Sequence, residues 1–232
     1  MVNIWPFFAQ LSGAACPLCR VPGDGLCARC LDTLPRNDRS CNVCALPLPP
    51  GAPPETLCAE CQLHRPSFDQ VLAPLLYARP VDELIAGFKY HHRLPEGRIL
   101  SDLLLQAAAD RPDHPDLLLP VPIQAGRLRE RGFNQAAEIA RHLARGLGLR
   151  WSTTLLARVR DTGPQRGLAR RQRRSNLRGA FTSLGDPPPH VALVDDVMTT
   201  GATAEELSRV LRRAGAGRIE VWAIARTPRS GV

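Results

Sequence analysis

The chain has 232 residues, 44% hydrophobic and 5% aromatic, with 30 Lys+Arg against 22 Asp+Glu for a formal charge of +8. That length holds one α/β domain of ordinary size plus a small appendage, and no run of about 18 uninterrupted apolar residues is present to form a membrane-spanning helix. Lys89 is the only lysine, so the basic charge is arginine, the better bidentate phosphate ligand; an Ala-, Arg-, Pro- and Leu-heavy composition accounts for the same total, and net charge alone reports solubility and non-specific binding.

Residues 1–15 carry Ile4, Trp5, Phe7, Phe8 and Leu11, the pattern of a short amphipathic helix packed on the body. Gly13-Ala14-Ala15-Cys16 looks faintly like a lipoprotein cleavage site. A basic leading region is missing, however, and Pro6 and Gln10 interrupt the apolar stretch. The expectation is a cytoplasmic protein.

All eight cysteines lie between residues 16 and 61, in four Cys-x-x-Cys pairs: Cys16/Cys19, Cys27/Cys30, Cys41/Cys44 and Cys58/Cys61. Each pair presents two thiolates to one metal, and two pairs complete a tetrahedral four-cysteine zinc site, so four pairs imply two structural zinc ions. A disulfide framework would need an oxidising compartment, which the missing secretory signal argues against. Sequential pairing is the simplest arrangement; a crossed one stays open, because seven residues separate Cys19 from Cys27. The stretch is rich in Pro and Gly, so metal must supply its folding free energy. It lacks interleaved aromatic and basic residues, which favours a structural or docking role over base contacts.

Phe68 to Tyr77 reads as a β-like run. A helix from Val81 to Phe88 ends near Lys89-Tyr90-His91-His92-Arg93. The two histidines are sequence neighbours and diverge on a helix, so a basic surface turn is the reading there. A second helix is expected over Asp102–Asp110, then a buried strand at Leu117–Leu119 closed by Pro120 and Pro122. A basic loop from Arg127 to Gln135 follows. Next is a helix with Ala136, Ile139, Ala140, Leu143 and Leu147 on one face, Asn134 as N-cap and Gly148 as stop. Strand, basic loop and helix form a βα unit that can bind anions at its top; the bland alternative is a solvated loop. Thr153–Val159 reads as another strand. From Arg158 to Arg178 eight arginines face a single acid, Asp161, and so dense a like-charge run repels itself unless an anion joins it.

Val191 to Val194 is apolar on both faces, as a central parallel strand requires. It runs into Asp195 and Asp196, then into Thr199-Thr200-Gly201-Ala202-Thr203, and a helix with Leu207, Val210, Leu211 and Ala214 follows at once. An α/β sheet binds ligands at this end of its strands. Hydroxyls, a glycine permitting close approach and a helix N-terminus suit a phosphate, and two carboxylates suit a vicinal diol or a phosphate-bound magnesium ion. Gly215 ends the helix, and Arg218 to Ala225 is the last strand.

The run from Val191 to Thr203 resembles the phosphoribosyl-pyrophosphate (PRPP) loop of type I phosphoribosyltransferases. That resemblance assigns Asp195 and Asp196 to the ribose hydroxyls and Thr199, Thr200, Gly201, Ala202 and Thr203 to the 5′-phosphate. Arg127, Arg131 and Gly132 fall to the pyrophosphate, with Mg2+ accompanying PRPP. With the cysteine block, the Lys89-Tyr90 element, Pro120-Val121-Pro122, Arg131-Gly132-Phe133-Asn134-Gln135 and the Gln165…Arg174-x-Asn176…Gly179-Ala180-Phe181 pattern, nearly the whole chain resembles the ComF (GntX-like) competence family.

The family implies an α/β, parallel-sheet phosphoribosyltransferase-like domain (65–232) preceded by a double zinc ribbon (16–64) and the N-terminal segment (1–15). It also implies a link to DNA uptake or to use of external DNA. Within it, Asp195, Asp196 and Arg131 are the expected catalytic residues. Arg166, Arg170, Arg171, Arg174 and Asn176 would either close as a lid over PRPP or clamp single-stranded DNA. A non-catalytic DNA-binding or adaptor protein beside an uptake helicase, keeping the loop as a sensor or relic, is the competing expectation. No acceptor pocket is legible.

Overall fold

The computed structural model describes residues 15–160 and 177–229. The N-terminal amphipathic segment up to residue 14, and Arg166, Arg170, Arg171, Arg174 and Asn176, lie outside the described residues. Two five-residue helices, α1 (Ala28–Asp32) and α2 (Ala59–Leu63), follow Cys27 and Cys58, which stand at their N-caps. Then come β1 (Gln70–Leu72), β2 (Leu75–Leu76), α3 (Val81–Tyr90), α4 (Leu94–Ala109), β3 (Leu117–Pro120), α5 (Ala125–Arg131), α6 (Gln135–Leu147), β4 (Arg150–Trp151), β5 (Leu156–Arg158), β6 (Phe181–Ser183), β7 (His190–Met198), α7 (Ala202–Arg213) and β8 (Arg218–Arg226).

The main sheet runs β1-β8-β7-β3-β4, with β2 also on β8, and every pairing in it is parallel. Alternate residues of β7 and β8 feed two cores. Val191, Leu193, Val221 and Ala223 pack with α7, the β5–β6 hairpin and the second cysteine group. Ala192, Val194, Trp222 and Ile224 pack with α3, α4 and α6. Burial on both faces is why these strands read as unbroken apolar runs.

Connections leave the middle of the sheet in opposite directions. β3 passes through α6 to β4 on one side; β7 passes through α7 to β8 on the other. The crevice between the C-terminal ends of β3 and β7 is therefore the topological switch point of the sheet, where such folds place ligands. Pro120 pairs with Val194, so Asp195 to Met198 project beyond the end of β3.

Four expectations needed adjustment. The run Phe68–Tyr77 splits into β1 and β2 at Ala73-Pro74, because Asn37 takes both carbonyls (its N–H binds Pro74 O, its amide Ala73 O) and proline has no N–H for a ladder. The second helix begins at Leu94 rather than Asp102, with Pro95 in its first turn. Its extra turns bury Gly97 against Phe88, where an added Cβ would lie 2.4 Å from the ring. Much of the expected Arg127–Gln135 loop is α5, with Gly132 as its left-handed C-cap at φ 71°. Finally, Thr153–Val159 contributes β5, which pairs antiparallel with β6 outside the main sheet.

Candidate functional site

At the end of β7 the two acids take opposite faces of the sheet, as the period of two in a strand requires. Asp196 is 8% exposed, on the face of α3, and Lys89 Nζ lies 2.8 Å from its Oδ2. Burial alone would lower the Lys89 pKa; the adjoining Asp196 carboxylate outweighs it and holds the ammonium above its ordinary value. Asp195 is half-buried toward α7 and accepts the Asp196 N–H at 2.9 Å. Burial, then the neighbouring Asp196 charge, push its pKa up to about 7.

Beyond Met198 the chain turns through Thr199 to α7. Gly201 adopts φ 76° as the helix N-cap, a conformation that favours glycine. The Ala202 N–H reaches Thr200 Oγ1 at 3.4 Å, while the N–H groups of Thr200, Gly201, Thr203 and Ala204 meet no acceptor among the described residues. Orphan donors of this kind are what a helix N-terminus offers an anion. They line a shallow hollow with Asp195, Val121 and Val197. A wider cleft of about 630 Å³ lies elsewhere, between β1 and the loop that carries Asp38, Arg39 and Pro53. It has neither a helix N-terminus nor the acidic pair.

Across the crevice, Arg127 of α5 is half-exposed and makes no hydrogen bond or ion pair among the described residues. Arg131 is only 9% exposed. Its guanidinium stacks 4.9 Å from the Tyr90 ring centroid and donates to Gln135 Oε1 at 3.0 Å and to the Tyr90 hydroxyl at 3.3 Å. Tyr90 follows Lys89, so the Lys-Tyr step at the end of α3 faces both halves of the crevice. Lys89 goes to Asp196, and Tyr90 to Arg131. His91 and His92 are exposed, as a surface turn implies. Where the arginine-rich stretch re-enters the described chain, Leu177, Ala180 and Phe181 are buried, and the Gly179 N–H donates to Glu206 of α7 at 2.8 Å.

The cysteines pair in sequence order: Cys16, Cys19, Cys27 and Cys30 form one group, and Cys41, Cys44, Cys58 and Cys61 the other. In each group the sulfurs all lie within 4.8 Å of one another. Cross-pair contacts of 3.6 Å join Cys19 to Cys27 and Cys44 to Cys58, close to the about 3.8 Å edge of a tetrahedron with 2.3 Å metal–sulfur bonds. Both groups fit a double zinc ribbon. They differ in setting: Cys19 is exposed, whereas all four members of the second group are buried and belong to the main core. A bond from Cys44 pulls the Cys41 pKa down to about 4, and the same bond pushes Cys44 up.

One contact had no signal in the sequence beyond the presence of an arginine. Arg226, at the end of β8, is 4% exposed and donates to Cys44 O at 2.9 Å, to Met198 O at 2.9 Å and to Thr199 O.

No family model matches the chain. Among known proteins, DNA utilization protein YhgH of Salmonella typhimurium is 34% identical over 222 residues, covering 91% of this chain and 96% of that one. The Escherichia coli K12 protein of the same name is 34% identical over 222 residues with the same coverage. Competence protein F of Haemophilus influenzae is 37% identical over 178 residues, 73% of this chain and 78% of its own. Among solved structures, the glutamine PRPP amidotransferase from B. subtilis, complexed with ADP and GMP, has a TM-score of 0.37 at 20% identity, over 55% of this chain and 26% of that one. Adenine phosphoribosyltransferase from Leishmania tarentolae has a TM-score of 0.35 at 17% identity, over 58% of each chain.

Proposed function

The chain belongs to the family of competence protein F and DNA utilization protein YhgH, and from that premise we propose that it binds PRPP at the β7–α7 turn, in service of DNA uptake or the use of external DNA. The observation that carries this reading is the turn itself. Four N–H groups without an acceptor among the described residues stand at the start of α7, beside a half-buried carboxylate, in the crevice where the sheet changes direction.

In this reading the amides and hydroxyls from Thr199 to Thr203 take the 5′-phosphate, and Asp195 accepts from a ribose hydroxyl. Asp196, already held by Lys89, shapes the floor and reaches the sugar only if that pair loosens. Arg127 faces the pyrophosphate, with Gly132 allowing the backbone close. Arg131 supports α5 from behind through Tyr90. Magnesium would come with the pyrophosphate and neutralise its charge, and Asp195 is the carboxylate that would meet it. If turnover occurs, the chain contributes positioning and electrostatic stabilisation of an oxocarbenium-like ribosyl centre. The two cysteine groups hold zinc as structural ions, the choice an all-thiolate tetrahedral set favours, and a reducing cytoplasmic setting suits them.

Calorimetric titration with PRPP and magnesium, on wild type and on an Asp195→Asn/Asp196→Asn variant, tests the reading. Heat from the wild type and none from the variant supports it; equal heats end it.

A second reading draws on the relatives' names and on the eight arginines between Arg158 and Arg178. Here the chain clamps single-stranded DNA beside an uptake helicase and keeps the turn as a sensor. It predicts a slope of log K against log salt of about −0.7 per neutralised phosphate. Salt-independent binding would remove it.

A further inference from the structure

The second cysteine group and the β7–α7 turn meet at a single side chain. Arg226 lies between them: Nε donates to Cys44 O, and Nη1 donates to Met198 O, Thr199 O and Thr227 O. Cys44 is the second cysteine of its pair, so its carbonyl belongs to the backbone knuckle whose two thiols would hold the metal. Met198 and Thr199 are the last residues before the amides that stand open. The same surfaces share apolar packing, with Cys44, Cys58 and Cys61 in one core with Met198, Ala202 and Ala204. A rigid planar fork that satisfies carbonyls from both sides transmits position better than a point charge could. Among the described residues the first cysteine group has no such tie. Its neighbours Leu18, Leu26 and Leu31 pack with the opposite core.

We propose that Arg226 is a positioning residue that makes metal in the Cys41/Cys44/Cys58/Cys61 centre a condition for an ordered sugar-phosphate turn, while the Cys16/Cys19/Cys27/Cys30 centre is uncoupled from it. The ligand half of this proposal rests on the PRPP reading above; the conformational half does not.

The test uses full-length zinc-loaded protein and three variants: Cys58→Ser, Cys19→Ser and Arg226→Lys. Metal per chain, hydrogen exchange of the 198–204 peptide and PRPP–magnesium affinity are measured for each. Cys58→Ser is expected to lose one metal ion, to exchange the 198–204 amides about tenfold faster, and to bind PRPP about tenfold more weakly, the scale of one charge-assisted hydrogen bond. Cys19→Ser loses one metal ion with both other readouts unchanged. Arg226→Lys keeps both ions, with 117–120 still protected, yet shows the loosened turn.

Unchanged exchange in Arg226→Lys, or equal loosening in Cys19→Ser, overturns the proposal. Should Cys58→Ser fail to fold, Arg226→Lys against Cys19→Ser still decides it. If the wild type binds no PRPP while exchange follows the second metal alone, the PRPP reading fails and the coupling stands.

Discussion

Lys89 Nζ sits 2.8 Å from Asp196 Oδ2, joining the end of α3 to the end of β7 across the floor of the crevice. The chain's only lysine thus spends its charge inside the protein. Replacing it with Met leaves Asp196 largely buried without a partner. A loss of about 2–3 kcal/mol in urea unfolding is expected, less than for a wholly buried pair because both groups keep slight exposure. Adding Asp196→Asn should restore much of it in a double-mutant cycle; additive losses would show that the pair contributes nothing.

The raised pKa of Asp195, about 7 against the ordinary 3.8, sets a pH dependence. Between those values the folded chain holds a proton that the unfolded chain has released, so this group's contribution makes stability fall as pH rises from about 4 to 7, then level off. Asp195→Asn removes the term. The melting temperature of the variant should gain on wild type across that window and keep the gain above pH 7. A constant difference at every pH would contradict the burial of this carboxyl.

Gly201 holds φ 76°, and a Cβ there would come 2.8 Å from the flexible end of Met198. The contact can relax; the backbone cannot. Gly201→Ala should cost roughly 1–2 kcal/mol in stability and weaken PRPP binding, both measurable by thermal melts with and without ligand. Unchanged ligand stabilisation would place the phosphate elsewhere.

Metal removal separates the two cysteine groups. Elemental analysis should give two ions per chain. Cys41→Ser should lower the melting temperature of the whole protein far more than Cys16→Ser, because the second group lies in the main core and the first has an exposed member. Equal shifts would mean that both ribbons are peripheral.

The strongest local patterns in the sequence survived folding. β7, β8, α6 with its Asn134 cap, and α7 all carry a period or a run long enough to outweigh local noise. Four identical Cys-x-x-Cys spacings announced two metal sites, though only the fold shows that they pair in order. Legibility failed where context overrides propensity. α5 hides in a stretch rich in arginine, with little apolar period to mark it. The first turns of α4 carry Glu96 and Gly97, which are buried through contacts with Arg93 and Phe88 rather than through hydrophobicity.

Residue types and spacings by themselves determined the chemistry on offer: thiolates for two metals, acids and hydroxyls at the end of a strand, and a chain carrying arginine almost to the exclusion of lysine. Tertiary structure alone decided which of those groups stay available. It occupies Asp196 with Lys89, tucks Arg131 under Tyr90 and commits Arg226 to the carbonyls of Cys44 and Met198. The reason is physical. A motif depends on neighbours in the chain, whereas burial, charge pairing and hydrogen-bond satisfaction depend on neighbours in space, and those are set only when the sheet has brought distant segments together.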